Sequence, residues 1–430
     1  MPVEGGCHIL SGSGDQFIST SFDPDLVLLF FSNHGTEGTV QALGGVIGMG
    51  TVNRTLPTEP PFPFPGSASA HALWYNNLVA SGYLWDVAVW GRATNGVDGY
   101  ALYGIDIGSG GFTLRYSGGF DGGGGNPIYW IAFGAEDDFI VHRGFHFSGK
   151  PEEPTPYLPT VGFAVGSGGT GPIPTDGSSV SFTNWAVSTW GMWAADEGIA
   201  SPPTSWPNRT LQSLVGFNAN AGNNTFFVGE DFDNNQLYAE AQTFGSGMPF
   251  GMFSHYRTLT DYGALEGWPG LGFDGDSGRL SIVSMSKLIG VTGTFIPGEN
   301  NGDEVEIPIP FDVQAVVFMT RLENEYTGIP VHFTDGIANG FCTINDFQAV
   351  IATCGRAFDA PAQARYQNQG LAWVSSLQAD AAGLHAGSAE ITPNGFKLTT
   401  AVDTRSARPV SFMALGFPEE GPGFFRVVHR

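Results

Sequence analysis

The residues of this chain that could do chemistry are its carboxylates, histidines, serines, cysteines and exposed aromatics. Cleavage of a glycosidic bond needs two carboxyl groups, one acting as acid and one as base or nucleophile. Three acidic clusters have the right residue types: Glu136-Asp137-Asp138, Glu230-Asp231-Phe232-Asp233 and Asp303-Glu304-Val305-Glu306. None has the alternating Glu-x-Asp-x-x-Glu spacing that would aim carboxylates from one strand face, so each reads as a solvated turn. No Gly-x-Ser-x-Gly elbow offers a nucleophile. His142 and His146 fall on one face of a strand, but they lack the helix and glutamate of a His-Glu-x-x-His zinc site. Catalysis is not expected of this chain.

Binding signals are weaker but present. Asp231, Asp233 and Asn235, and likewise Asp274 and Asp276, set alternate oxygens along short loops. Calcium takes such hard donors, although neither loop has the full twelve-residue EF-hand pattern and ordinary turn chemistry accounts for both. Trp74, Tyr75, Trp206 and Trp268 occupy expected loops, where an exposed ring could stack on a sugar. Trp85, Trp90, Trp130, Trp185, Trp190 and Trp193 lie in or near expected strands and read as core. Cys342 and Cys354 have a spacing that fits two neighbouring strands. A disulfide formed after release from the cell and two buried free thiols both satisfy it.

The composition says what kind of element must carry these groups. Of 430 residues, 63 are Gly and 34 are Phe, and only 13% are charged. That aromatic content excludes a disordered chain, and the scarcity of charge argues against helical bundles. Short strands and tight turns suit the mixture. Lys+Arg is 17 against Asp+Glu 41, a formal charge of −24. Such a field repels phosphate backbones and anionic membranes, so neither nucleic acid nor membrane insertion is expected. The apolar run Leu26-Val27-Leu28-Leu29-Phe30-Phe31 has the length of a buried strand, far short of the ~20 residues of a spanning helix. Residues 1–9 have no basic region and no apolar stretch, so no signal peptide is read there. With only three cysteines, synthesis in a reducing cytosol is expected. A virion component, made in the host cytoplasm and working outside after lysis, reconciles this with an extracellular-type composition.

The chain repeats itself. Gly111-Phe112-Thr113-Leu114-Arg115-Tyr116 leads to Pro127-Ile128-Tyr129-Trp130-Ile131-Ala132-Phe133-Gly134. Gly395-Phe396-Lys397-Leu398-Thr399-Thr400 leads in the same order to Pro409-Val410-Ser411-Phe412-Met413-Ala414-Leu415-Gly416. Their opening strands, at 25–32 and 312–320, match as well, and Phe139-Ile140-Val141-His142-Arg143 parallels the C-terminal Phe425-Arg426-Val427-Val428-His429-Arg430. A fainter middle copy has residues 160–166 as its opening strand and 278–283 as its late strand. The period is that of a whole domain, not of a solenoid repeat. The expected architecture is all-β: three tandem antiparallel β-sandwich or jelly-roll domains at 1–145, 146–292 and 293–430. The joins are expected in the Pro-rich stretch 150–156 and in the turn-forming stretch 297–304. Residues 84–90 read as one strand buried on both faces. Residues 179–183 and 304–309 read as strands with one wet face, and 360–366 as a short helix.

The pattern Gly-Phe-x-Leu, a loop, then an apolar strand ending Ala-Leu-Gly resembles modules of tailed-bacteriophage tail and virion-surface proteins. Gly395 to Leu398 with Ala414-Leu415-Gly416 carries it best, together with the opening strand Ala315-Val316-Val317-Phe318, and Ala132-Phe133-Gly134 departs conservatively. The resemblance covers the outer two thirds of the chain. It implies a structural virion protein of the tail tip, baseplate or fibre region, a minor tail protein that docks on other virion proteins and touches the host surface. It carries over no catalytic residue. Capsid decoration is one alternative. A lectin-like or glycan-hydrolysing β-sandwich acting on host-surface glycan is another. Three like domains would supply quasi-threefold contacts within one chain, or three chains would trimerise.

Overall fold

In the computed structural model, side chains are described for residues 2–9, 14–32, 37–40, 47–52, 107–114, 127–134, 288–320, 322, 337–354, 366–377 and 383–417, and the remaining assigned strands by their backbone. Among the described residues every regular element is a strand. The first group is β1 (Val3–Ile9), β2 (Gln16–Ser19), β3 (Leu26–Ser32), β4 (Val46–Asn53), β5 (Ala68–Asn76), β6 (Leu78–Trp85), β7 (Val87–Arg92), β8 (Gly99–Gly108), β9 (Gly111–Tyr116) and β10 (Pro127–Phe133). The middle group is β11 (Phe145–Phe147), β12 (Val161–Thr170), β13 (Val180–Phe182), β14 (Trp185–Ala194), β15 (Thr210–Asn218), β16 (Thr225–Val228), β17 (Glu230–Asp231), β18 (Ala241–Phe244), β19 (Tyr256–Leu259), β20 (Leu265–Gly267) and β21 (Asp276–Met285). The last group is β22 (Ile289–Phe295), β23 (Glu304–Pro308), β24 (Val313–Glu323), β25 (Thr334–Thr343), β26 (Gln348–Arg356), β27 (Asp359–Asn368), β28 (Trp373–Leu377), β29 (Leu384–Thr392), β30 (Gly395–Asp403) and β31 (Val410–Gly416).

The chain is an all-β fold of several antiparallel sheets. The first group forms one sheet in the order β1-β10-β3-β4-β5-β6, extended by β13, and a second in the order β2-β9-β8-β7. The last group forms β22-β31-β24-β25-β26-β27 and β23-β30-β29-β28. Strand for strand, the two groups pair identically. The middle group repeats the larger sheet as β11-β21-β12-β14-β15-β17. Its expected opening and late strands lie side by side, with Phe163 opposite Val283 and Gly166 opposite Leu280.

A close approach explains the Gly-Phe-x-Leu motif. Gly111 and Gly395 begin equivalent strands with φ of 155° and 142°. A Cβ there would stand 2.1 Å from the carbonyl oxygen of Ile18 or Ile307 on the neighbouring strand. Only glycine combines that backbone with that contact. The following Phe and Leu (Phe112 and Leu114, Phe396 and Leu398) are buried. Phe112 meets Trp130 edge-on at 5.5 Å, and Phe396 meets Phe412 the same way at 5.0 Å, so each motif closes its small sheet onto its large one.

Among the described residues, the larger sheets of the first and last groups are buried on both faces. Leu26, Leu28 and Phe30 of β3 and Tyr129, Ile131 and Phe133 of β10 share one core cluster with Ala315, Val317 and Met319 of β24, Ile337 and Phe341 of β25, and Met413 and Leu415 of β31. The alternate residues Val316, Phe318, Phe412 and Ala414 face the opposite way, into a core with Trp373, Phe396 and Leu398. The first and last groups therefore stack sheet on sheet. This accounts for the unbroken apolar runs of β3, β10 and β31, since a strand covered on both faces has no polar side to alternate.

The middle sheet meets both others, and it meets the first group mainly through β6. Strands β3 and β4 lie against β26, β24 and β25 lie against β15, and β12 and β14 lie against β5. In each case the third and fourth strands of one sheet's order touch the fifth strand of the next. The sense is constant around the three sheets and the ring closes.

Several expectations need correction. Residues 84–90 are not one strand: β6 ends at Trp85 in the large sheet and β7 starts at Val87 in the small one, the point where this pairing scheme changes sheets. Residues 360–366 are strand rather than helix, because β27 pairs with β26. Three extra residues, Ala360, Pro361 and Ala362, fit into a register shift, where Gly355 faces Gln363 and Arg356 faces Asp359. The stretch 297–304 joins β22 to β23 within the last group rather than linking two groups. Residues 304–309 do alternate, with Glu304, Glu306 and Pro308 exposed and Val305 and Ile307 half-buried. Of 179–183, Val180–Phe182 forms β13.

Candidate functional site

The expected binding residues are not gathered into one place by the described structure. Trp74 and Tyr75 are strand residues, not loop residues: in β5 they stand opposite Val46, Ala80 and Val79, as the alternating Ala-His-Ala-Leu-Trp-Tyr sequence favours. Asp231 and Asp276 are strand-terminal, opposite Gln212 and Thr170, rather than within loops. Trp206, Trp268, Asp233, Asn235 and Asp274 lie outside the described residues. Among the described residues no group of three or more His, Cys, Asp or Glu could hold a metal ion.

None of the three cysteines is in a disulfide bond. Cys342 pairs across the ladder with Gln348, and Cys354 with Gly336, so the two thiols sit at opposite ends of one hairpin and the disulfide alternative falls. Burial pushes the Cys342 thiol up to about 12. Cys7 is likewise pushed up to about 12, by burial first and by the nearby Glu37 carboxylate second. Neither is a thiolate nucleophile at neutral pH.

Sequence reasoning missed one buried polar constellation. Ser375 on β28 and His385 on β29 are both fully buried, with Ser375 Oγ 2.6 Å from His385 Nδ1. His385 Nε2 lies 3.1 Å from the carbonyl oxygen of Gly298. A carbonyl only accepts, so Nε2 carries the proton, and Nδ1 accepts from the serine hydroxyl. Thr400 Oγ1 donates to the same carbonyl at 2.9 Å. The indole of Trp373 covers the imidazole at 5.6 Å between ring centres. Serine, base and orienting acceptor follow the nucleophile–base–orienter logic, but their burial leaves no approach for a substrate. The arrangement pins the β22–β23 loop to the small sheet. Desolvation holds the histidine below its ordinary pKa, against the opposing pull of Gly298, Asp403 and Glu299. No motif marks this pair in the sequence.

The interface between the first and last groups is clasped at its rims by polar contacts. Asn345 Nδ2 donates to Gly5 O and Asn345 Oδ1 accepts from Gly5 N, both at 3.3 Å. At another rim Gly38 N donates to Gln367 O at 2.9 Å, and Gln369 N donates to the Glu37 carboxylate. Between them Phe30 and Phe341 meet at 5.2 Å. Asn339 is buried in this face, with no partner for either end of its amide among the described residues.

Exposed apolar groups mark the outside. Ile9 closes β1 and Ile296 follows β22, the corresponding strand of the last group, and both are exposed. Phe17 in the middle of β2 and Ile344 in the β25–β26 turn are exposed too. Among the described residues no helix is long and apolar enough to cross a membrane.

No family model matches the chain, and no curated protein matches its sequence.

Proposed function

We propose that this chain is a single-polypeptide, quasi-threefold building block of a bacteriophage particle, of the tail tip, baseplate or fibre region, that docks on other virion proteins. The observation that carries the reading is the contact of the third and fourth strands of each large sheet with the fifth strand of the next, made three times in one sense. Head-to-tail contacts that close make a ring, and oligomers usually build such rings from separate copies. Here three β-sandwich units in tandem, of the jelly-roll type expected from the sequence, would supply them within one chain. The last unit, expected from 293, would also take in the whole of β22, which pairs with β31. A block of this kind offers three similar outer surfaces to a partner that itself has threefold or sixfold symmetry. The acidic charge of −24 directs those surfaces toward protein rather than toward packaged nucleic acid.

Immunogold electron microscopy with antiserum to the chain, on particles from the culture that produces it, tests the reading. Gold at the distal tail is the expected result. Gold on the head moves the role to capsid decoration, and particles without gold overturn the virion reading.

A further inference from the structure

The two small sheets end in equivalent strands, β2 and β23, whose outer edges are treated in opposite ways. Their registers align without ambiguity. Ile18 faces Phe112 and Ile307 faces Phe396, while Thr20 N bonds Gly110 O and Ile309 N bonds Asn394 O. Backbone groups alternate sides along an antiparallel strand, so Thr20 and Ile18 point their N–H and C=O toward β9, and Phe17 and Ser19 point theirs away from it. In the last group the outward positions are Glu306 and Pro308.

That edge is closed by its chemistry. Pro308 has no N–H to offer an incoming strand, and Glu306 puts a charge beside it. Lys397 draws further charge onto the same face, at 3.3 Å from Glu304 and 3.2 Å from Glu390. On β2 both devices are reversed. Ser19 keeps its N–H and is exposed, and Phe17 replaces the glutamate with an aromatic ring that is 58% exposed. Among the described residues β2 pairs with β9 alone. A chain that guards one of two equivalent edges and leaves the other open with an aromatic on it has a use for the open one.

We infer that the β2 edge is a docking site for an extended segment of another protein, taken up as an added antiparallel strand on the backbone of Phe17 and Ser19. Main-chain hydrogen bonds supply the affinity, and the side chain opposite Phe17 supplies selectivity, favouring an aromatic or β-branched residue. Charge decides the rest. Glu4, Asp15 and Asp23 lie on or beside this edge strand: Glu4 accepts from Ser21, and Asp23 accepts from Ser109 and Gly110. The chain as a whole carries −24. A second copy would bring the same acidic edge, so the occupant is a strand flanked by Lys or Arg. This inference stands whether or not the chain belongs to a virion.

The test is selection of a displayed random-peptide library on the full-length chain, followed by fluorescence polarisation of the enriched peptides. Expected are peptides of alternating apolar residues with flanking Lys or Arg. Their binding should weaken by about tenfold or more in Phe17→Glu/Ser19→Pro, which removes an outward hydrogen bond and adds a charge. Circular dichroism of that variant should be unchanged, since proline already occupies the equivalent outward position at 308. The reciprocal variant Glu306→Phe/Pro308→Ser should gain a second site for the same peptides, so a folding defect in the first variant does not decide the matter. Three results overturn the inference: no enriched peptide, peptides indifferent to both variants, or a dimer in light scattering that Phe17→Glu/Ser19→Pro dissolves.

Discussion

At the scale of single residues, His385 makes the sharpest claim. Its imidazole is held neutral between a serine hydroxyl donating to Nδ1 and a carbonyl accepting from Nε2. Burial lowers its pKa from the ordinary 6.5. Unfolded, the same side chain takes up a proton as pH falls through about 6.5. Folded, it does so only at lower pH. Between those two points the unfolded state binds more protons, and stability falls with falling pH. The contribution is therefore complete above about pH 6.5 and is lost as pH drops from there toward the lower folded value. Urea midpoints of the wild type should decline over that window more steeply than those of His385→Phe, which has nothing to titrate. Parallel declines for the two proteins would show that the imidazole is protonated as easily folded as unfolded. Nothing in the sequence announces this pair. Ser375 and His385 are ten positions apart in no known motif, and only the pairing of β28 with β29 brings them together.

At the scale of elements, the spacing between sheets is set by small residues, and Gly340 is the tightest case. It sits in β25 opposite Phe318, and a Cβ there would fall 2.0 Å from the carbonyl oxygen of Ala372 and 2.8 Å from that of Ala349. Both obstacles are backbone, so neither can swing aside. Gly340→Ala should cost about 1–3 kcal/mol or more in thermal or urea unfolding, the range for overpacking a tight core. Gly302→Ala has open space around its Cβ and strains only its φ of 87°, so it should cost less. A larger loss for Gly302 would mean that the two sheets do not approach as closely as described. The same scale shows what a sequence can and cannot convey. The strands of the outer repeats were legible because Gly111 and Gly395 need a backbone that only glycine adopts, and because β3, β10 and β31 are unbroken apolar runs. Residues 360–366 looked helical because Ala, Gln and Arg favour helix locally. Pairing with β26 overrides that preference, and a bulge takes up Pro361. Residues 84–90 looked like one strand because nothing in Leu-Trp-Asp-Val-Ala-Val-Trp marks the change of sheet. The open edge at β2 was equally hidden. Gln-Phe-Ile-Ser gains its meaning only when it is set in register against Glu-Val-Glu-Ile-Pro.

At the scale of the whole molecule, the run Leu26–Phe31 shows that a strand can be recognised as doubly buried without revealing what buries it. Half of its side chains, Leu26, Leu28 and Phe30, are covered by strands almost three hundred residues later in the chain. Phe341 is the most direct of these partners, packed on Phe30 at 5.2 Å and on Phe347 at 5.9 Å. Phe396 is an equally buried phenylalanine of the same last group, but it faces the other way, toward Phe318 and Phe412. Truncating either should cost about 3–5 kcal/mol. The two losses should nevertheless register in different places. If the first and last groups support each other through this face, Phe341→Ala should speed amide exchange in the peptide spanning 26–32, a segment far from the substitution in sequence. Phe396→Ala should loosen β23, β30 and β31 and leave 26–32 protected to a greater degree. Hydrogen–deuterium exchange by mass spectrometry resolves both peptides in one experiment. Equal protection of 26–32 in the wild type and in Phe341→Ala would mean that the sheets of the first and last groups do not share a core. The ring of three would then lose the contact on which its closure depends, since the middle sheet can bridge the other two without enforcing a common sense of rotation among them.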